Sequence, residues 1–254
     1  MSDNPVQSAE RIFHVLETLA TADSMSLTEL TAKVSLSKST THRLLKSLMC
    51  LNYVEQTTDG KYRLTYKILM LSSTCYTRNR LISRVHPHLL TLSANCHETV
   101  HLVKRNGTHI LYLDKVDSPD YTYQMYSRIG ILNELYCTAT GKCLLSELSD
   151  TDILDLWPSM NVTSRTPYTI TDSSVFLDEI QKVRQTGYAC DRQETELGLF
   201  SIGTAIPDFT GKANYAISIT APVARITDSV LTQNIRLLLE AKSSLSKELG
   251  YQSP

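Results

Sequence analysis

The chain has no run of 18 apolar residues, and its first seven residues are polar and lack the apolar core of a secretory signal. We therefore expect neither a membrane-spanning helix nor export, and we place the protein in the cytoplasm. The six cysteines show no CxxC spacing, which favours free thiols in a reducing compartment over disulfide bonds or a zinc site. Cys137 and Cys143 are interpreted as core thiols.

The short motifs of common enzyme classes are also absent. The sequence contains no GxGxxG or Walker A nucleotide loop, no HExxH zinc motif and no GxSxG motif of serine hydrolases. His86 and His88 are two residues apart, as are His97 and His101, but a carboxylate-rich ligand set does not accompany them. We therefore predict no catalytic residue, no metal site and no cofactor.

Charge is divided unevenly along a chain whose net charge is only −1. Residues 1–80 carry 10 Lys and Arg against 7 Asp and Glu, whereas the remaining 174 residues carry 15 against 19. A basic N-terminal segment followed by an acidic remainder is typical of a phosphate-binding module attached to a partner domain. A solvated charged face explains the charge pattern equally well, so the motifs must decide.

Three helical patterns follow one another between Ser8 and Leu48. The second begins with Ser26 and Glu29, whose spacing is that of a capping box. The third begins at Ser37, a favoured N-cap residue, and its apolar positions lie in its second half.

The third helix carries short hydroxyls and cations in its first turns, which a helix that only packs would not need. A helix that enters the major groove of DNA does need them, because side chains at its N-terminal end reach base edges and phosphates. Its free backbone amides also favour phosphate. Arg43 is the expected base reader, through a bidentate contact to guanine. The DNA-binding residues predicted on this helix are Ser37, Lys38, Ser39, Thr40, Thr41, His42, Arg43 and Lys46.

A hairpin follows the third helix. Tyr53–Gln56 and Lys61–Leu64 read as strands on either side of a turn that contains Asp59-Gly60, a dipeptide typical of tight hairpins. Lys61 and Arg63 are expected to contact the DNA backbone beside the groove. This order of elements predicts a winged helix-turn-helix. A helical bundle with an incidental hairpin explains the spacing but not the placement of the hydroxyls and cations.

The sequence pattern changes after residue 65. Residues 66–81 contain neither Pro nor Gly and predict a helical linker. Beyond them, period-two strands alternate with helices, which favours an α+β fold with antiparallel hairpins. Predicted domains are 1–65, 66–81 and 82–254. Predicted strands are Thr99–Lys104 and His109–Leu113 around a type I′ turn at Asn106-Gly107, then 121–126, 188–191, 200–207 and 214–221; predicted helices are 81–96 (kinked or restarted at Pro87), 138–145, 173–186 and 227–249.

Several segments, in order along the chain, resemble the IclR-type bacterial transcriptional regulators. They are Leu36–Leu45, Gly60–Leu64, Glu98–Leu102, Tyr126–Gly130, Ala139–Leu145, Gly187–Asp191 and Glu196–Gly198. The resemblance implies an N-terminal winged helix that binds operator DNA and a C-terminal GAF-like domain, built on a central antiparallel sheet, that binds a small organic acid. It also implies a homodimer or a dimer of dimers, acting as a repressor of catabolic genes.

By position, the resemblance implies an effector pocket formed by Ala139, Thr140, Gly141, Asp191, Leu199 and Ser201. The segment Leu135–Ala139 is most similar to members that sense sugar-derived keto acids, such as regulators of 2-keto-3-deoxygluconate use. The chain departs from common family patterns at His97, at Thr140, where a small apolar residue is usual, and at Ser201, where one subgroup has cysteine. The threonine at position 140 predicts a pocket that is more polar or tighter than in glyoxylate or pyruvate sensors.

The residues themselves support a hydroxylated acid. Thr138 and Thr140 lie at a predicted helix start, where free amides and hydroxyls suit a carboxylate. Asp191 can accept from a ligand hydroxyl but repels a bare carboxylate. Alternatively, Thr138 only caps its helix and Asp191 only stabilises a turn.

We expect a protein that responds to its ligand and binds a near-palindromic operator, since a dimer places two recognition helices about one DNA turn, roughly 34 Å, or a multiple apart. Two other classes remain: a small-molecule enzyme with a vestigial DNA-binding head, and a DNA-binding protein that needs no ligand.

Overall fold

The computed structural model describes residues 6–77, 80–120 and 127–251. The chain forms two compact units, Met1–Asn79 and Arg80–Pro254. The strand predicted over Tyr121–Tyr126 falls outside the described residues.

The first unit begins with three helices, followed by a two-stranded hairpin and a fourth helix. They are α1 (Gln7–Leu19), α2 (Leu27–Val34), α3 (Lys38–Cys50), β1 (Val54–Gln56), β2 (Tyr62–Leu64) and α4 (Lys67–Thr77). The predicted capping box is confirmed, because the Ser26 hydroxyl accepts from the Glu29 amide and the Glu29 carboxylate accepts from the Ser26 amide. Ser37 caps α3 as predicted.

Burial of one face of each helix holds the first unit together. Leu44, Leu45 and Leu48 of α3 pack against Leu30 of α2 and Leu19 of α1. The hairpin packs on this core through Tyr62, which also forms a β-bridge with Met25. The chain therefore has the helix order and the hairpin of a winged helix-turn-helix.

The hairpin turn is longer than a two-residue turn. Five residues separate β1 from β2, and the Thr57 amide donates to the Lys61 carbonyl at 2.8 Å. Gly60 alone among these residues has a positive φ, of 80°. The hydroxyl of Thr57 donates to Asp59 and so stabilises this wider loop.

The second unit alternates helices with strands. Its elements are α5 (Arg80–Cys96), β3 (Thr99–Asn106), β4 (His109–Val116), β5 (Leu132–Glu134), α6 (Ala139–Leu145), α7 (Asp150–Leu156), a 3₁₀ turn (Trp157–Met160), α8 (Ser173–Thr186), β6 (Ala189–Arg192), β7 (Leu199–Pro207), β8 (Ala213–Pro222), a second 3₁₀ turn (Val223–Arg225) and α9 (Asp228–Glu248). Pro87 lies inside α5 without ending it.

The six strands β3–β8 form one antiparallel sheet in the order β5-β4-β3-β8-β7-β6. Helices α5 and α9 cover one face, where Val85, Leu89 and Leu238 pack against apolar side chains of β7 and β8. Helix α6, supported by α8, covers the other. The α+β fold with a central antiparallel sheet is confirmed.

Glycines set two local details of this sheet. The β3–β4 hairpin has two central residues, Gly107 and Thr108, and the positive φ of 62° at Gly107 is that of a type II′ turn, so the predicted type I′ turn is wrong. On the opposite strand pair, a Cβ at Gly203 of β7 would lie 2.8 Å from the Thr140 amide nitrogen. Glycine at this position lets α6 approach the sheet closely.

Candidate DNA-binding surface and effector pocket

The front of α3 is exposed where the sequence predicted DNA contacts. Ser37, Lys38, Ser39, His42, Arg43 and Lys46 are exposed, and Thr40 is half-buried. Positions 39, 42, 43 and 46 follow the i, i+3, i+4, i+7 spacing of a single helix face. The structure thus presents two cations, a histidine and a serine on one surface of the helix.

Thr41 is the exception among the predicted DNA-binding residues. It is fully buried, and its hydroxyl donates to the Ser37 carbonyl at 3.1 Å. The reason is helical periodicity, because positions 41, 44, 45 and 48 form the apolar face that packs into the core. A side chain on that face cannot reach DNA, so Thr41 is removed from the DNA-binding set.

Replacing Thr41 by valine should therefore leave DNA affinity within about twofold of wild type. The lost helix hydrogen bond should cost no more than about 1.5 kcal/mol of unfolding free energy. Fluorescence anisotropy with labelled duplex DNA and chemical denaturation measure the two quantities. A tenfold weakening of DNA binding in a folded variant would return Thr41 to the interface.

The two hairpin cations already have carboxylate partners. Lys61 Nζ lies 3.5 Å from Asp59, and Arg63 Nε lies 2.6 Å from Glu55. Both pairs are well exposed, so each contributes little to stability. The cations remain accessible for phosphate, although each acidic neighbour reduces the positive potential of the hairpin.

A cavity of about 430 Å³ opens in the second unit between the sheet and the start of α6. Its floor consists of side chains from β3, β7 and β8, which point to the same face because strand residues alternate. Arg165, Tyr112 of β4 and the segment after β6 complete the walls. Six of the predicted effector-binding residues line the cavity: Thr138, Ala139, Thr140, Asp191, Leu199 and Ser201.

Gly141 does not line the cavity, and its predicted effector contact is not supported by the geometry. A Cβ at this position would lie 2.1 Å from the Leu135 carbonyl oxygen. The glycine is thus needed for the close approach of α6 to the preceding segment rather than for contact with a ligand.

Thr138 and Asp191 have structural partners as well as a place in the cavity wall. Thr138 Oγ1 accepts from the Gly141 amide at 3.1 Å and donates to the Glu134 carbonyl at 2.7 Å, so it caps α6. Asp191 accepts from the amides of Glu194 and Thr195 and from the Thr195 hydroxyl. Both alternatives weighed for these residues, a cap and a turn, are therefore present. By contrast, the buried Thr140 hydroxyl bonds to no described group of the chain.

Sequence reasoning missed nine polar residues of the cavity. They come from segments far apart in sequence and meet only through strand register or through the loops that connect the strands and helices, which no local motif reveals; for example, β3 and β8 pair His101 with Ser218. Alternation along β8 was the available signal, because it puts alternate residues on one face. The missed residues are His101, Tyr112, Ser127, Asn133, Arg165, Thr195, Glu196, Ser218 and Thr220.

Burial controls the ionisable groups around the cavity. It raises the pKa of Asp191 and of Tyr112 and lowers the pKa of His101 to about 3, so His101 is neutral at pH 7. Burial also raises the pKa values of Cys137 and Cys143 to about 12, which keeps these thiols protonated and poorly nucleophilic. Among the described residues, no group of three or more His, Cys, Asp and Glu side chains is arranged to hold a metal ion.

A buried ion pair lies directly behind the cavity. Lys142 of α6 is fully buried, and its ammonium donates to Glu194 Oε1 at 2.5 Å and to the Cys190 carbonyl at 2.7 Å. Glu179 of α8 lies 3.7 Å away. Lys142 thus ties the helix that starts at the cavity to the segment that forms its wall.

Comparison with known proteins decides the family. Residues 8–58 match the IclR helix-turn-helix domain, and residues 74–247 match the C-terminal domain of bacterial transcriptional regulators of the IclR type. The chain belongs to the IclR family. It is 33% identical over 247 residues to the HTH-type transcriptional regulator KdgR of Escherichia coli K12, which covers 97% of this chain and 94% of the relative.

Two further IclR relatives agree with this assignment. The transcriptional repressor IclR of Escherichia coli K12 is 28% identical over 249 residues, covering 96% of this chain and 90% of its own. The crystal structure of Thermotoga maritima IclR superposes with a TM-score of 0.79 at 28% identity, covering 96% of this chain and 99% of that chain.

This IclR-family protein is a transcriptional regulator with a DNA-binding helix-turn-helix and a C-terminal effector domain. The resemblance drawn from its motifs is confirmed, and these relatives are transcriptional regulators. No described helix has the length and apolarity needed to cross a membrane.

Proposed function

We propose that this regulator senses a small hydroxylated carboxylic acid, such as a sugar-derived keto or hydroxy acid, in the 430 Å³ cavity. The observation that carries this proposal is the chemistry of the lining. Arg165 supplies the one positive charge among the described lining residues, since His101 is neutral. Eight lining side chains bear hydroxyls: Tyr112, Ser127, Thr138, Thr140, Thr195, Ser201, Ser218 and Thr220.

One cation and many hydroxyls suit a ligand with one carboxylate and several hydroxyl groups. Arg165 is 40% exposed and only loosely held, with its guanidinium 3.5 Å from Asn133 Oδ1 and 4.0 Å from Glu134. It can therefore turn toward a carboxylate and bind it in a bidentate manner. Asp191 and Glu196 on the same wall disfavour an acid with a second charge near them.

On DNA, we assign the operator contacts to the exposed residues of α3 and of the hairpin. Arg43 reads a guanine, and Lys61 and Arg63 contact phosphates. Supporting this assignment, these side chains are exposed or half-buried and lie outside the core of the first unit. The remaining contacts on α3 are assigned to Ser37, Lys38, Ser39, Thr40, His42 and Lys46.

We also assign a homodimer, or a dimer of dimers, that binds a near-palindromic operator and represses transcription. Supporting a second copy, α4 exposes large apolar side chains at Leu69, Met70 and Leu71, at 60%, 74% and 57%. Because the protein acts on chromosomal DNA, we place it in the bacterial cytoplasm. We assign it no catalytic activity, in agreement with the protonated thiols near the cavity.

The effector assignment is tested on the full chain with 2-keto-3-deoxygluconate, D-gluconate, pyruvate and glyoxylate. At least one hydroxylated acid should raise the melting temperature and change affinity for operator DNA, because a ligand acts through its different affinity for two states. Arg165→Met should weaken the binding of that acid by about tenfold, as expected when a partly exposed charge-assisted hydrogen bond is lost.

Arg236→Met is the matched control, because Arg236 lies on α9 and is 62% exposed. It should bind the acid as wild type does. If no acid in the set shifts either the melting temperature or DNA binding, the effector class is wrong.

A further inference from the structure

His101 is a buried histidine in the floor of the cavity, and it bonds to two serines that also line the cavity. Its Nε2 lies 2.8 Å from Ser127 Oγ, and its Nδ1 lies 3.4 Å from Ser218 Oγ. The side chain is 2% exposed. Three polar groups from distant parts of the sequence therefore form one hydrogen-bonded chain along the cavity.

Because His101 is neutral, the hydrogen bonds that link Ser127, His101 and Ser218 all point the same way from donor to acceptor. A neutral imidazole has one N–H donor and one unprotonated acceptor nitrogen. One serine hydroxyl therefore donates a hydrogen bond to the unprotonated ring nitrogen, whereas the other accepts a hydrogen bond from the ring N–H and can donate its own O–H elsewhere. The first serine oxygen can accept from a ligand, and the second serine can donate to it.

Arg165, the positively charged lining residue, lies at a different part of the cavity from His101. Arg165 is within 3.5 Å of Asn133, and the Asn133 amide is 3.5 Å from the Tyr112 hydroxyl. The Tyr112 ring packs edge-on against His101, with 5.2 Å between ring centroids. Asn133 and Tyr112 thus separate the positive end of the cavity from the neutral histidine.

We propose that His101, acting through Ser127 and Ser218, is a specificity-determining residue that selects acids bearing a hydroxyl group remote from the carboxylate. This inference rests on the proposed acid-sensing function and narrows its ligand class. A hydroxyl both donates and accepts, so it satisfies both serines. A methyl group leaves both unpaired, and a second carboxylate cannot donate to the serine that needs a donor.

Three six-carbon acids test the inference on the full chain by calorimetric titration: D-gluconate with hydroxyls, n-hexanoate without them, and D-glucarate with a carboxylate at each end. Wild type should bind gluconate at least about tenfold more tightly than the other two. His101→Leu should weaken the binding of gluconate about tenfold or more and bring the affinity ratios of gluconate to hexanoate and of gluconate to glucarate close to one. His101→Gln keeps a donor and an acceptor and should retain part of the preference.

The affinity ratio separates specificity from a merely structural role. A His101→Leu variant that weakens all three acids by the same factor overturns the inference, as does a wild-type protein that binds hexanoate as tightly as gluconate. In the first case the proposed sensing of a hydroxylated acid stands; in the second case the protein still binds a carboxylic acid, but its proposed preference for a hydroxylated one is wrong as well. If wild type binds none of the three acids at millimolar concentration, the inference is wrong, whereas the acid-sensing function is decided by the four acids named under the proposed function.

Discussion

Replacing Lys142 by methionine is expected to lower the free energy of unfolding of the second unit by about 3–5 kcal/mol. The ammonium is fully buried and holds Glu194, which is itself 5% exposed. Methionine fills a similar volume without charge, so the variant isolates the loss of the ion pair. Within the part of the chain that the structure describes, Glu194 then has no counter-ion in contact, and its Oε2 already has no hydrogen-bond partner.

The loss should depend on pH in a defined direction. Burial raises the pKa of Glu194, whereas Lys142 lowers it, so removing Lys142 raises that pKa further. Between the unfolded value near 4.5 and the higher folded value, the folded state then binds more protons than the unfolded state. Stability consequently falls as pH rises through this window, and the defect of Lys142→Met should be smaller at pH 5 than at pH 8.

Two variants control this experiment. Lys182→Met removes a 71% exposed lysine that also pairs with Glu179, and it should cost less than about 1 kcal/mol. Lys142→Met combined with Glu194→Gln should recover part of the single-variant loss, because the uncompensated charge is gone. Denaturant titrations at both pH values measure these differences. Equal effects of Lys142→Met and Lys182→Met would show that the buried pair contributes no more than a surface pair.

Local signals in the sequence predicted the first unit well. The Ser26–Glu29 box and the Ser37 cap depend on contacts within three residues, so their residue types suffice to place them. The placement of Thr41 could also have been predicted, because it shares a helix face with Leu44, Leu45 and Leu48. The hydroxyl of Thr41 suits a DNA contact chemically, but its position on the buried face of the helix rules that contact out.

The cavity could be predicted only in part, and mainly through family resemblance. Thr140 and Ser201 line the cavity, whereas Gly141 does not, because close packing against Leu135 is a property of the folded chain. His101 and Arg165 carry no local mark of their role. Strand register brings His101 opposite Ser218, and a long connection brings Arg165 to the wall.

Arg43→Ala is expected to weaken operator binding by about 1–3 kcal/mol, roughly fivefold to 160-fold, and to relax base preference at one position of each half-site. Arg43 is exposed on α3 beside Lys46, and the buried face of the helix fixes its direction. A guanidinium reads guanine through two parallel hydrogen bonds, which alanine cannot replace. The operator for this measurement is obtained by selecting random duplexes on the wild-type protein.

Lys61→Ala separates base reading from phosphate contact. Lys61 lies on the hairpin, so its loss should weaken operator and random DNA by the same factor and reduce the salt dependence by about one phosphate contact. Arg43→Ala should instead reduce the ratio of operator to random affinity, because that ratio depends on base contacts. If Arg43→Ala weakens both duplexes equally, Arg43 holds phosphate, and the front of α3 binds DNA without reading guanine at this position.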